Sequence, residues 1–405
     1  MTITLTRYIT PDNWLALALA CASLILALVT IAVYRRRLIS VPRCVKRQSD
    51  AGLPDRITYP SVSVIVYSFN NAKGLEELIP QLRRQNYPGK FDIIVVNDGK
   101  DDATEGLLNR MSTEDVPRLY HTFTPRDTRN LSRKKLALTL GIKAAAGDCI
   151  INVTADTRVH SDNWLRLMAA PFTDPATEIV IGYAAPDNDI DTARGARGRR
   201  HDRLIDSVYY LASALAGKTY RGDGDNLAYR RDTFFRMKGF SNSLNLHYGD
   251  DDLFVYEAST TGNTAVVLAP DAQVISTVTG DRPEKVYRYK KMRYDFTSRF
   301  AGRGQHLFYG TLSLLLWIWL GLTVAAVAVE PLNPVSLALC AISALSLWLP
   351  MMMIWNSAAK CLGSKRFLLS APFFIMWRPL RNIVYRLRSR KIHDAQYAWQ
   401  SQSMA

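Results

Sequence analysis

The chain has 405 residues, 48% of them hydrophobic, and 51 Lys and Arg against 36 Asp and Glu give a formal net charge of +15. This composition excludes collagen-like, disordered and disulfide-scaffold classes. The mean hydropathy of −0.06 is that of an ordinary soluble protein, but it averages over three uncharged apolar stretches, Trp14 to Tyr34, Leu307 to Val329 and Val335 to Trp355, each close to the ~20 residues a helix needs to cross a bilayer.

The first stretch is followed by Arg35, Arg36, Arg37, Arg43, Lys46 and Arg47, whereas only Arg7 and Asp12 precede it. The excess of positive charge on one side puts the N-terminus outside and the central domain in the cytoplasm. A cleaved signal peptide would have a shorter apolar core with its positive charge ahead of it, so residues 1–36 are expected to be a retained anchor and 37–59 a basic linker. From Val62 the run Val-Ser-Val-Ile-Val-Tyr predicts a β-branched strand, Leu75 to Gln85 has helical spacing, and Phe91 to Val96 is a second strand. The alternation continues with a helix from about Ser132 to Ala145, a strand at Cys149 to Val153, a helix after Asp162 and a strand at Ile179 to Tyr183. Such a pattern predicts an α/β domain with a mostly parallel sheet covered by helices on both faces.

Ligands in such sheets collect beyond the carboxyl ends of the strands. Asn97-Asp98-Gly99 ends one predicted strand and Thr154-Ala155-Asp156 another, so Asp98 and Asp156 are expected to face one crevice; taken singly, each would also serve as a local turn cap. The basic run Arg194, Arg197, Arg199, Arg200 and Arg203 is either a solvated loop or a mobile loop that grips a lipid-linked phosphate, and Asp223 and Asp225 are expected in a turn. Asp250, Asp251 and Asp252 stand together before a predicted helix start. One acid would satisfy the helix dipole, and three adjacent like charges suggest cation binding or proton transfer.

Glu330 to Pro334 is a short turn, so the last two stretches form a hairpin with both ends in the cytoplasm, in keeping with Arg299, Arg303, Lys360, Lys365 and Arg366. The shorter apolar run Phe367 to Trp377, followed by Arg378, Arg381, Arg386, Arg388, Arg390 and Lys391, reads as an interfacial segment on anionic lipid or as a helix packed on the domain. Because the positive charge clusters beside apolar stretches, no nucleic-acid partner is expected. The five cysteines and six histidines show no metal-ligand spacing.

Over about residues 60–300 the chain resembles a family 2 glycosyltransferase of the GT-A fold, in the membrane-anchored bacterial form. The resemblance rests on four blocks in order. These are Pro60 to Val66 with Asn70 and Asn71; Val95 to Gly99; Lys134-Lys135-Leu136-Ala137-Leu138 leading to Ala146-Gly147-Asp148; and Asn226 to Arg231 followed by Gly239-Phe240 and Gly249 to Leu253. It implies a Rossmann-like GT-A domain at 60–304, a transmembrane hairpin at 305–356 and a basic interfacial or cytoplasmic tail at 357–405. It also implies that Asp98 accepts a hydrogen bond from the nucleotide base, with Tyr67 and Asn70 lining that pocket and Lys134 approaching the nucleotide. Asp156, the last acid of an Asp-x-Asp motif, would hold Mg²⁺ or Mn²⁺ against the donor diphosphate, and Asp250, with Asp251 second, would take the acceptor's proton.

Two departures qualify the likeness. Thr154 stands where the motif's first acid usually sits, and Lys290-Lys291-Met292-Arg293-Tyr294 replaces the Gln-x-x-Arg-Trp of processive synthases, leaving Arg293 to meet the leaving diphosphate. The implied activity is inverting transfer of a sugar from a nucleotide-sugar donor, UDP-linked, to a membrane-associated glycan or lipid acceptor, in cell-envelope or polysaccharide synthesis at the inner membrane. A processive synthase subunit and a catalytically degenerate nucleotide-binding scaffold remain open at this point.

Overall fold

The computed structural model describes residues 13–389 except 55–57, 100, 114–116, 126–131, 188–191, 193, 245, 247 and 278–282. The expectations attached to Arg7, Asp12, Arg390 and Lys391 lie outside the described residues. The chain begins with α1 (Trp14–Leu38) and α2 (Ser40–Ala51). It continues with β1 (Val62–Ser68), α3 (Ala72–Arg83), β2 (Phe91–Asn97), α4 (Asp102–Met111), β3 (Leu119–Phe123), α5 (Arg133–Ala144), β4 (Cys149–Thr154), β5 (Thr157–Arg158), α6 (Trp164–Ala169), β6 (Ile179–Ile181) and β7 (Ala184–Pro186). Then come α7 (Ala196–Leu215), β8 (Leu227–Arg230), α8 (Arg231–Arg236), α9 (Asp252–Ala258), β9 (Thr264–Val266), β10 (Val274–Ser276) and α10 (Pro283–Thr297). The last elements are α11 (Arg303–Val329), α12 (Pro334–Cys361) and α13 (Ala371–Ser389).

Among the described residues, seven strands form a sheet in the order β3-β2-β1-β4-β8-β6-β9, and β5-β10-β7 form a small second sheet. As the alternation predicts, β3, β2, β1 and β4 run parallel, while β8 is antiparallel to both its neighbours. The β-branched run of β1 is buried on both faces. Val62, Val64 and Val66 meet Leu75, Leu78 and Trp164 on one side, and Ile65 meets Ala137 and Ile142 on the other. Parallel strands sandwiched between helices read as continuous apolar runs for this reason. The helices start where side chains satisfy their free N–H groups, with Asp101 accepting from Thr104 N at 2.9 Å before α4 and Ser132 accepting from Lys135 N before α5.

The basic run is neither kind of loop that its composition suggested. Gly195, at φ 85°, turns the chain into α7, and Arg197 donates to Phe367 O at 3.0 Å and to Ser370 Oγ at 2.8 Å. Arg199 is buried and donates to Arg194 O. Arg197 thus ties α7 to the segment joining α12 and α13.

Among the described residues, three helices are long and apolar enough to cross a membrane: α1 with its extension, α11 and α12, with mean hydropathies of 2.7, 2.3 and 2.1. They meet through small residues, Ala20 beside Ala326 and Cys340, and through a polar trio in which Trp319 Nε1 donates to Ser343 Oγ at 2.8 Å and Ser23 Oγ to the same oxygen at 3.2 Å. Close approach at small side chains and shared hydrogen bonds are what hold helices together in lipid. The C-terminal segment forms α13, which packs one face on the domain. Arg378 and Arg381 face the domain, while Phe373, Trp377, Leu380, Val384 and Leu387 form an exposed apolar stripe.

The inward face of α13 is held by Asp202 of α7. Its carboxylate accepts from Arg378 Nε at 2.9 Å, from Arg381 at 2.8 Å, from Tyr287 Oη at 2.6 Å and from Lys291. Burial pushes this acid upward, but Lys291, Arg378 and Arg381 outweigh it and hold the carboxyl well below its ordinary range. Removing one partner of such a buried cluster strands the other charges at a cost of about 3–5 kcal/mol. Asp202→Ala is therefore expected to lower the thermal unfolding midpoint of the detergent-purified protein by several degrees, and an unchanged midpoint would mean that α13 is held elsewhere.

Candidate active site

The site begins with register. Ser68 lies opposite Asn97 and Tyr67 opposite Thr154, so the loops leaving β1, β2 and β4 emerge from one edge of the sheet. Asn70 takes a left-handed φ of 45°, and its backbone N–H donates to Asn97 Oδ1 at 3.2 Å. Gly99 passes so close that an added Cβ would overlap the Asn70 side chain. The Asn70 loop is thereby locked against the end of β2, beside Asp98.

Asp98 is buried and accepts from three side chains: Tyr67 Oη at 3.0 Å, Arg133 Nε at 2.9 Å and the Thr124 hydroxyl. Burial, and then the Asp98 charge, push the Tyr67 phenol well above its usual range, so Tyr67 stays a donor. Arg133 and Thr124 were not singled out from the sequence. Adjacency of Arg133 to Lys134 at the start of α5 was the available signal.

One residue further on, Lys134 Nζ lies 2.7 Å from Asp250 Oδ2 and 5.7 Å from the centre of the Tyr67 ring. Arg293, from α10, places Nη2 at 2.6 Å from Asp250 Oδ1 and 2.8 Å from Asp251 Oδ1. Tyr294 Oη and the Gly224 N–H both donate to Asp251 Oδ2 at 3.3 Å. Burial alone would lower the Lys134 ammonium, yet the Asp250 carboxylate overcomes it and raises the pKa. Burial likewise acts to raise Asp251, but Arg293 and Lys134 hold it well below the carboxylate range. Asp252 differs. It turns inward, accepts from the Thr297 hydroxyl and from Leu253 N, and is pushed up to about 6 by burial and by the Asp251 charge.

Asp156 reaches the same edge from the end of β4, where Asn71 Nδ2 donates to its Oδ1 at 2.9 Å. Thr154, in the place of an acid, donates to Asp225 Oδ1 at 3.1 Å, and Lys290 Nζ lies 3.3 Å from Asp225 Oδ2. The turn holding Asp225 thus delivers a carboxylate beside the position that Thr154 vacates. Among the described residues no three His, Cys, Asp or Glu side chains converge on one point. Asp156 and Asp225 are each oxygen donors of the kind that Mg²⁺ or Mn²⁺ takes, since such cations use one or two protein carboxylates and complete their shell with phosphate oxygens and water. Of the eight positions expected from the sequence, Tyr67, Asp98, Lys134, Asp250, Asp251 and Arg293 join in one chain of contacts, with Asn70 and Asp156 on the adjoining loops.

The family model described as glycosyl transferase family 2 matches residues 63–236, which takes in Asp98, Lys134, Asp156 and Asp225. An N-acetylglucosaminyltransferase of Rhizobium leguminosarum bv. viciae is 34% identical over 154 residues, covering 38% of this chain and 33% of the relative. One from Bradyrhizobium elkanii is 30% identical over 142 residues, covering 34% of this chain and 72% of the relative. The chain therefore spans about a third of the length of the first of these relatives. A solved structure, the mannosyltransferase PcManGT of Pyrobaculum calidifontis in complex with GDP-Man and Mn²⁺, superposes with a TM-score of 0.54 at 19% identity, covering 92% of this chain and 99% of that one, a likeness of fold. The aligned segment carries the strand-end acids and the sheet that presents them, and by that segment the chain belongs to glycosyl transferase family 2.

Proposed function

We propose that the protein is a membrane-anchored, inverting transferase. In this reading it moves a sugar from a UDP-linked donor to a membrane-associated acceptor in cell-envelope glycan synthesis, with the division at 60–304, 305–356 and 357–405 into catalytic domain, hairpin and tail. The names of the relatives make N-acetylglucosamine the first sugar to test. The observation that carries the reading is the position of Asp250 between Lys134 and Arg293, an acid held by two cations that are themselves suited to phosphate.

In this mechanism Asp98, oriented by Tyr67, Thr124 and Arg133, receives the nucleotide base beside Asn70. Asp156 and Asp225 would hold the divalent cation, which neutralises charge on the departing nucleoside diphosphate. Lys134 and Arg293 bind the diphosphate oxygens, and in doing so they release Asp250 from its ion pairs. The freed carboxylate takes the proton of the acceptor hydroxyl as that oxygen attacks the anomeric carbon. The bond from that carbon to the diphosphate oxygen breaks on the opposite face, the electron pair leaves with the diphosphate, and the configuration inverts. The arginines after α1 and before α11 support a catalytic domain on the cytoplasmic side of the inner membrane.

Asp250→Asn is expected to reduce transfer by about 10²–10⁴-fold, the usual worth of a general base, with donor affinity equal to or above that of the parent. Retained turnover would move the base to Asp251. Calorimetric titration with UDP-N-acetylglucosamine should show Mn²⁺-enhanced binding that Asp156→Ala loses, and an affinity untouched by that change would remove Asp156 from the cation site. Asp252 answers differently to pH. Its folded-state pKa of about 6 lies above the ordinary 3.8, so its stabilising contribution is complete below about pH 4 and is lost as pH rises through 6. Asp252→Asn should therefore match the parent's unfolding midpoint near pH 4 and exceed it at pH 7.5; equal midpoints at both values would contradict the raised pKa.

A further inference from the structure

A cavity of about 40 Å³, open to solvent on one side, lies between α7, β7, α10 and the loop before β8. That is room for a few waters or for one small polar group. On α10 it is lined by Tyr287, Lys290, Lys291 and Tyr294, which recur at the spacing of one helix face, whereas Arg293 points from another face to Asp250 and Asp251. The opposite walls add Arg203 and Arg221 together with two acids, Asp223 and Asp206, the latter paired with Arg378, so that four cations face two carboxylates. The two faces of α10 thus serve two adjoining sites, joined by Tyr294, whose hydroxyl reaches Asp251.

Lys290 and Lys291 are paired with Asp225 and Asp202, but Arg203 and Arg221 form no ion pair among the described residues. Arg221 is held by rings instead. Its guanidinium carbon lies 3.3 Å from the centre of the Tyr294 ring and 5.2 Å from that of Tyr210, and its buried Nε has no hydrogen-bond partner. A guanidinium laid against an aromatic face keeps its N–H edge available, and that fork matches phosphate oxygens. Leaving a buried N–H donor unpaired is costly, and a bound oxyanion would satisfy it.

The walls also lead to the membrane. Tyr309 of α11 donates to Tyr209 O of α7 at 2.8 Å, and α13, with its exposed apolar stripe, shares Asp202 with α10. We infer that this cavity binds the phosphate group of a lipid-tethered acceptor, with Arg221 as the residue that reads it. The inference rests on the transferase reading above and names the class of acceptor: a phosphate carried on a hydrocarbon chain, whose reacting hydroxyl or phosphate oxygen is delivered to the Asp250 and Asp251 side.

The test is calorimetric titration of the full-length, detergent-purified protein with farnesyl phosphate, farnesol and inorganic phosphate, and separately with UDP-N-acetylglucosamine and Mn²⁺. Farnesyl phosphate is expected to bind at least tenfold more tightly than inorganic phosphate, and farnesol not at all. Arg221→Gln should weaken farnesyl phosphate at least tenfold, Arg221→Lys less, with donor affinity within twofold of the parent. Equal affinity for farnesyl and inorganic phosphate would make this a free-phosphate site, and parallel loss of donor binding in Arg221→Gln would assign the cavity to the donor; either overturns the inference, as does unaltered farnesyl phosphate binding. If Arg221→Gln gives no cooperative unfolding transition, Arg203→Gln is read by the same criteria. Loss of donor binding in the parent with farnesyl phosphate binding intact would sink the transferase reading and leave the cavity standing.

Discussion

A carboxylate taken out of water must be paired, and among the described residues this protein buries six of them, Asp98, Asp202, Asp225, Asp250, Asp251 and Asp252. One helix meets most of that requirement. From α10, Lys290 reaches Asp225, Lys291 reaches Asp202, Arg293 bridges Asp250 and Asp251, and the Thr297 hydroxyl bonds Asp252. The position of α10 against the sheet edge, and of α13 against α10, follows from the need to bring these partners together. Part of the chain's large positive charge is therefore internal, spent on acids that the site holds dry.

The same pairing shapes the chemistry. Lys134 and Arg293 are the cations paired with the candidate base, and both are the kinds of group that a diphosphate attracts. A donor entering the edge formed by β1, β2 and β4 thus competes for cations that the protein already uses. Asp98 illustrates the opposite design. Three donors from β1, the segment after β3 and α5 fix its carboxylate whatever is bound, which suits a residue that orients rather than reacts.

Local pattern made much of the fold legible. The β-branched run of β1, the helical spacing of α3 and α5 and the three apolar stretches each announce themselves within a few residues, because burial on two faces or in lipid leaves a continuous mark. The acids ending β2 and β4 were legible for the same reason, as charges at the ends of apolar strands. Asp225 was not, since its partner Thr154 lies far away in sequence at the end of β4 and nothing in Gly222-Asp223-Gly224-Asp225 distinguishes it from a simple turn. Nor was α7. Its arginines read as solvated loop, and only packing against the segment after α12 shows why a basic stretch can be helical and partly buried.

The apolar interior has no seam where the membrane part ends. A single cluster runs from Ala27, Tyr34 and Leu38 of α1 through Ile65 and Ile142 of the sheet layer to Trp319, Leu347 and Trp355 of the hairpin and Ile375 of α13. Cutting the chain on either side of the α/β domain would therefore not free a water-soluble enzyme; it would uncover one wall of that interior. The bilayer-spanning helices are in this sense the last layer of the catalytic domain, and changes in how they sit in lipid bear directly on the floor of the site.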